Sequence, residues 1–504
     1  MDKLIPLLIA IPFGSAFIIY LVGSILKNKS RRFSDIWALV AILANLVLSS
    51  FLLMTVYRES MLLSFMGSWR PPIGITLVVD GLSSFMLIII NFIALMASLF
   101  SINYMERYTS KYKFYALLML LVGGMNGIAI TGDLFNMFVF IEISAIASYI
   151  LVSFGIGEQE LEASFKYMVL AEVGSLMVLL SIALIYASTG TLNMADISRI
   201  FAQNPKPALM MFLSILFIVG FSLKAALVPF HAWLPDAHPS APAPISSMLS
   251  GVVIKVLGIY AMVRIFYNVL GMTHIVSTIL LVLAGLSMII GVILQLGQTD
   301  IKRLLAYCSI SHIGYVLLGF GIGTPLAIFG SLFHLANHAV FKSLLFFDSG
   351  AIEYETHTRD ITKMGGLSQK MPVTTVSWFI GSFSAAGVPP FNGFWSKLIL
   401  IIAAVQAQYY LLAAIAGIAA ILTLASFIKV QRQAFLSPLP EMLAKIKEVP
   451  VLMVTTLVIL TIFSLAMGVM LIPAIRTPVF DMARDAILVG TDYARLVFEK
   501  AGLQ

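Results

Sequence analysis

The sequence predicts an all-α polytopic membrane protein of about fourteen transmembrane helices, with two inverted five-helix repeats and discontinuous helices 7 and 12. Three observations predict it. The 504 residues are 60% hydrophobic and only 11% charged, against roughly 25% charged in soluble chains. The apolar excess comes in runs of about 20 residues, the length a helix needs to cross a bilayer core. Finally, two of those runs are interrupted by proline and glycine at matching places. Such a composition cannot coat soluble domains, so a soluble enzyme, a nucleic-acid binder and a disordered chain are excluded.

The runs lie near 4–26, 36–57, 80–102, 114–131, 134–154, 163–187, 208–231, 245–267, 274–296, 301–322, 325–349, 374–402, 409–430 and 450–473. The first runs on to Leu26 without a cleavage-type ending and reads as a span, not a removed signal peptide. Short links imply one bundle with no inserted soluble domain. The residues divide into helices 1–3 (1–112), a first five-helix unit (113–270), a second (271–430), and a last helix with a short tail (431–504).

Net charge is +7, and the basic residues cluster in links. The odd-numbered links hold Lys27, Lys29, Arg31, Arg32, Arg107, Lys111, Lys113, Lys166, Lys302, Arg303, Arg359, Lys363, Lys370, Lys429, Arg432, Lys445 and Lys447. The even-numbered links hold Arg58, Arg70, Arg199, Lys206 and Arg264. Positive charge stays cytoplasmic, so both termini are expected outside, with the chain in a prokaryotic plasma membrane. The single Cys308 excludes internal disulfides and a cysteine-ligated cluster. Any redox chemistry is therefore expected on another polypeptide.

Lys224, Lys255, Lys342, Lys397, Glu142 and Glu172 fall inside apolar runs. A charge at mid-bilayer costs roughly 2.5–3.5 kcal/mol even on lenient scales. Six such groups are too costly for incidental packing, although snorkelling or neutral burial competes for each. Span 7 carries Lys224, Pro229, His231 and Pro235; span 12 carries Gly387, Pro389, Pro390 and then Lys397. Proline breaks a helix, and freed backbone at membrane depth needs protein or a water-filled cavity around it. Paired interrupted spans point to a transporter built from repeated halves. Spacings of 173 for Lys224 and Lys397, 174 for Lys255 and Lys429, 176 for Lys166 and Lys342, and 170 for Glu142 and His312 support duplication of spans 4–8 as 9–13. Five helices is an odd number, so the second unit is expected upside down.

Protons hop between groups whose proton affinity burial and neighbouring charge can move. A glutamate and a lysine whose spacing changes make a switch, and Glu142 with Lys224 is the candidate pair. His334 and His338 stand four apart on one helix face with Lys342 beyond them, while His312 and His231 lie within other spans. They read as relays, and as metal ligands only weakly, because no third ligand is spaced for it; no metal and no cofactor are expected. His238, His274 and His357 receive no role. Asp80 reads as a helix cap. No phosphate-binding, dinucleotide or nucleophile-elbow motif occurs.

The runs DLFNMFVFIE (Asp133–Glu142), Lys224–Pro244, SGVVIK (Ser250–Lys255), DIKRLLAYCSISHIGY (Asp300–Tyr315), NHAVFKSLLF from Asn337 and GVPPFNGFWSK ending at Lys397 carry a family likeness. The chain resembles the antiporter-like membrane subunits of Mrp-type sodium/proton antiporters, respiratory complex I and membrane-bound hydrogenases. The resemblance covers nearly the whole chain. It implies fourteen core helices and a hydrophilic axis through Glu142, Lys224, Lys255 and Lys397, with His312 and His338 as relays. A lysine at 397 and a tail of about 30 residues favour similarity to the D-type subunit of Mrp antiporters over the M- and L-type subunits of complex I.

The expectation is therefore a proton-translocating subunit of a larger assembly of integral membrane subunits, in contact with lipid and not with nucleic acid. It would make no bonds itself, yet could serve a redox-driven translocase. Two other readings remain open: a path for sodium through this chain, and a scaffold for a redox complex.

Overall fold

The computed structural model describes residues 3–26, 31–108 and 110–503. Lys27 and Lys29, two of the basic residues of the first link, lie outside them. The helices are α1 (Leu7–Leu26), α2 (Arg31–Glu59), α3 (Gly81–Tyr104), α4 (Lys111–Ile130), α5 (Leu134–Val152), α6 (Glu158–Thr189), the short amphipathic α7 (Met194–Gln203), α8 (Pro207–Ala225) and α9 (Leu234–Ser240). Then come α10 (Ala243–Val269), α11 (His274–Leu296), α12 (Ile301–Ile322), α13 (Pro325–Thr356), α14 (Pro372–Ala386), α15 (Asn392–Gln406), α16 (Tyr410–Leu436) and α17 (Val451–Leu471). Among the described residues the only sheet is a hairpin of β1 (Leu62–Phe65) and β2 (Thr76–Val79), an exception to the all-α expectation.

Twelve of these helices are long and apolar enough to cross a membrane. To them add α13, whose 32 residues carry His334, His338, Lys342 and Asp348. Add also the half-helices α14 and α15, of 15 residues each, which complete one crossing between them. That makes fourteen crossings, as the runs predict. Burial grades inward: about a third of the best apolar window of α1 is covered by protein, and all of that of α10. The polar side chains concentrate in the covered helices.

The duplication is written in caps and turns. Glu158–Thr189 and Pro325–Thr356 are both 32 residues long and begin 167 positions apart (325 minus 158). At the same spacing, Asp133 and Asp300 cap α5 and α12, and the isolated bridge Asp133–Asn193 recurs as Asp300–Asp360. The Thr189 hydroxyl, which donates to Ile185 O at 2.8 Å, recurs as Thr356 to Ile352 O at 2.8 Å. Ala243–Val269 and Tyr410–Leu436, each 27 residues, also begin 167 apart. The second unit is inverted. Gly132 N donates to Thr76 O, which ties the start of α5 to the start of α3, whereas Arg107 at the far end of α3 donates to Tyr354 O at the end of α13. Ile301 N in turn bonds Arg359 O, just past α13, so α12 starts on the face opposite to α5.

This register corrects the spacings of 170 to 176 read from charged residues. At 167, Glu142 answers to Ser309, Lys342 to Ser175 and Lys255 to Leu422. Around the breaks the register is 161: Leu227 N bonds Ser222 O as Val388 N bonds Phe383 O, so Lys224 answers to Ala385. Glu142 with His312 and Lys255 with Lys429 are out of register by 3 and 7 residues, helix neighbours that share a face, whereas Lys166 with Lys342 and Lys224 with Lys397 are out by 9 and 12 and share none.

Candidate functional site

Each buried lysine is positioned by a local departure from regular helix. Lys224 sits in the last turn of α8, where its charge suits the negative end of the helix dipole. Helix α8 ends because Ala226 turns left-handed (φ 54°). Trp233 from the break donates its indole N–H to Leu223 O at 2.9 Å and stacks on Tyr167 at 4.0 Å, clamping that end. Pro229 and half-buried His231 lie in the break, whereas Pro235 stands in the first turn of α9, a position that tolerates proline. Pro235 therefore starts a helix and does not interrupt one.

Lys224 Nζ lies 3.5 Å from Glu142 Oε1, the lysine 2% and the glutamate 19% exposed. The same Oε1 accepts a bond from Ser175 Oγ at 2.5 Å. Half-buried Glu172, three residues before Ser175, is within electrostatic reach of both Glu142 and Lys224. One cation thus faces two carboxylates.

Lys255 is fully buried on α10, where the helix widens into π turns at Leu249–Val253 and Lys255–Tyr260. Such π segments recur at functional sites. Here Nζ donates to Ser250 O at 2.7 Å and to Gly251 O. Between Lys224 and Lys255 lies the close approach of Gly258 to Ala225, where a Cβ on Gly258 would collide with backbone.

Next comes a cluster of three fully buried imidazoles. His312 Nδ1 and His334 Nε2 are 3.0 Å apart, and His334 Nδ1 meets Ser396 Oγ at 2.9 Å. His338 stacks on His312 with centroids 5.1 Å apart. Lys342, one turn further along α13, donates to Leu305 O at 2.9 Å. Among the described residues His312 Nε2 and both His338 nitrogens have no hydrogen-bond partner. Buried polar atoms of this kind are ordinarily met by ordered water.

Lys397 follows Ser396 on α15. Gly387 (φ 83°) ends α14, with Pro389 and Pro390 in the break. Lys397 Nζ reaches back across it to the last carbonyls of α14, Ala385 O at 2.8 Å and Ala386 O at 3.2 Å. It also lies 4.9 Å from the centre of the Tyr315 ring, which is 5.4 Å from His334. The orphan carbonyls of a broken helix are thus capped by the N–H groups of a lysine at membrane depth.

The structure places Glu142, Glu172 and Lys224 in one group, and His312, His334, His338 and Lys397 in another, with Lys255 and Lys342 between. His231 stands apart, 6.5 Å from Tyr307. Sequence reasoning missed Ser175, Ser396, Tyr315 and Trp233, which carry no charge to mark them. It also placed His238 near a loop, whereas His238 is fully buried and stacked on Phe346 at 4.4 Å.

A run of buried titratable groups threading paired broken helices defines a membrane-embedded ion-translocating subunit. The chain belongs to the NADH:quinone oxidoreductase/Mrp antiporter transmembrane family, whose model matches residues 131–423. A second model, the N-terminus of NADH-ubiquinone oxidoreductase (complex I) chain 5, matches residues 68–115. The chain is 37% identical over 441 residues to the D-type subunit of the Na(+)/H(+) antiporter of Alkalihalophilus pseudofirmus, covering 86% of this chain and 87% of that one. Two solved assemblies contain similar chains. One is the Mrp complex of Dietzia sp. (TM-score 0.91, 27% identity, 99% of this chain and 100% of that one). The other is an archaeal membrane-bound sulfane sulfur reductase (TM-score 0.88, 30% identity, 99% of both chains).

Proposed function

We propose that this chain is the proton-translocating, antiporter-like subunit of a multisubunit membrane complex, and that protons move along Glu142, Lys224, Lys255, the histidines and Lys397. The Glu142–Lys224 pair at the mouth of a broken helix carries the reading. At 3.5 Å both groups are charged and hold each other. When α8 shifts at its break, the attraction falls, and Lys224 releases its proton toward Lys255. His338, His312 and His334 pass it on by exchanging N–H protons, and Lys397 is the terminal acceptor. Glu172 recharges the first pair, while His231 and Lys342 form a secondary polar line. The chain itself makes and breaks only N–H and O–H bonds.

The functional division follows the same logic: helices 1–3 within 1–112, the first unit in 113–270, the second in 271–430 and the last helix and tail in 431–504. The 167-residue register supports it. Membership of an assembly with other integral subunits agrees with the likeness to chains of the Mrp and sulfane sulfur reductase complexes. The excess of basic residues on the odd links supports a prokaryotic inner-membrane setting with both termini on the non-cytoplasmic side. Sodium would move in exchange elsewhere in the complex, since sodium prefers clustered carboxylate and carbonyl oxygens, whereas this axis is rich in lysine and histidine. Replacing Lys224 or Glu142 by alanine in the reconstituted complex tests the function. Proton uptake should be abolished in intact assemblies, and unchanged uptake would remove the pair from the mechanism.

A further inference from the structure

Among the described residues the proposed path leaves one fully buried carboxylate unused, Asp348, on the distal half of α13. Asp348 stands fourteen residues beyond His334, so it lies about 20 Å further along and within about 40° of the same helix face. Its Oδ1 accepts a bond from Ser377 Oγ at 2.7 Å. Among the described residues its Oδ2 has no partner. A carboxylate left half-bonded in a protein interior is costly.

The environment continues outward. Thr374 lies one turn before Ser377 on the same face of α14, and its hydroxyl donates to Glu448 Oε1 at 2.6 Å. Glu448 Oε2 caps the start of α14 through Val373 N (2.9 Å) and Thr374 N (3.2 Å). It is also the charged group within electrostatic reach of Asp348. Inward, the same face of α14 continues through Gly381 and Ser384 to Ala385, whose carbonyl holds Lys397. Leu345 closes on Gly381, where an added Cβ would stand 3.1 Å from its side chain. An acid, three hydroxyls and a second acid thus line one half-helix from its surface end to the terminal lysine, interrupted at Gly381 by Leu345 and Leu344.

We propose that Asp348, with Ser377, Thr374 and Glu448, is a proton port of the second unit, exchanging protons between the Lys397 end of the axis and the membrane face bearing Glu448. Asp348 takes up a proton on Oδ2 as an O–H bond and gives it up as that bond breaks, and the Leu345–Gly381 contact gates the inner step. This port rests on the proton-axis reading.

The test is initial proton uptake by the whole complex in vesicles with an internal pH indicator, expressed per assembled complex, with Lys224→Ala as benchmark. Asp348→Asn keeps the oxygen that accepts from Ser377 and removes only the exchangeable proton. It should slow uptake at least tenfold, and Asp348→Glu should restore it to within threefold of the parent. Glu448→Gln, whose amide oxygen still caps α14, should slow uptake at least threefold. Wild-type rates in Asp348→Asn, beside a dead Lys224→Ala, overturn the port and leave the axis standing. An active Lys224→Ala overturns the axis itself. If Asp348→Asn does not assemble, Glu448→Gln decides: a wild-type rate there overturns the port.

Discussion

Glu142→Gln isolates what the switching pair contributes, because glutamine keeps the shape of the side chain and an oxygen for Ser175 Oγ to bond. Only the charge facing Lys224 is lost. At 3.5 Å and an effective dielectric of about 20, the attraction between unit charges is about 5 kcal/mol. Each 1.4 kcal/mol in a barrier is about tenfold in rate, so complete loss sets a ceiling of roughly 10³ on the effect. The 19% exposure of Glu142 lets solvent screen part of the attraction, and Glu172 replaces another part. The expected loss is thus between tenfold and that ceiling. The assay is the initial rate of pH change in vesicles holding the complex, with assembly scored by native electrophoresis. Assembly should stay within twofold of the parent, since the dipole end of α8 and the clamp by Trp233 remain. Rates within threefold of the parent, in fully assembled complex, would refute the pair as a switch.

Lys397→Met should stop transport and lower the thermal midpoint of the complex, because the carbonyls of Ala385 and Ala386 lose their cap; the cost is about 1–3 kcal/mol. Arg264→Ala should lower stability by about 3–5 kcal/mol, seen as less assembled complex. It strands buried Asp80, which now receives two guanidinium bonds at 2.6 and 2.8 Å while capping α3. Its transport per assembled complex should stay near that of the parent. His312→Phe removes the 3.0 Å imidazole contact and should slow proton uptake at least tenfold, whereas His274→Gln, on an exposed position in the first turn of α11, should leave the rate unchanged.

The fourteen crossings were legible because hydrophobic length and proline placement act locally: a run either spans the bilayer or does not, and Pro229, Pro389 and Pro390 cannot continue a helix. The costly charges were legible for the same reason, since Lys224 or Glu142 in an apolar run stands out whatever its partners. Partners were not. Nothing in the sequence shows that Ser175 bonds Glu142, that Trp233 clamps α8 or that Lys397 caps the preceding half-helix, because these contacts form between helices distant in the chain. The hairpin Leu62–Val79 and the short helix Met194–Gln203 were also hidden within links, where polar composition carries no strong period.

The repeat shows how the two kinds of information diverge. Asp133 and Asp300, and the hydroxyls of Thr189 and Thr356, occupy matched positions because a helix start needs an acceptor for free N–H groups and an αL turn needs a local bond. Backbone geometry fixes them. The titratable groups obey no such constraint, and the two units have parted there: the first unit's Glu142 and Ser175 stand where the second has Ser309 and Lys342, and Tyr167 and Ala171 where it has His334 and His338. One unit therefore offers a carboxylate–lysine pair and the other an imidazole–lysine run on the same scaffold. On the proposed path a proton moving between them would pass from a carboxylate–lysine switch to a chain of imidazole relays. That direction of hand-over requires the first pair to respond to movement and the second unit to stay still. Hydrogen exchange on the complex should accordingly be faster at the end of α8, Ser222–Ala226, than along His334–Lys342; equal rates would remove the division of labour.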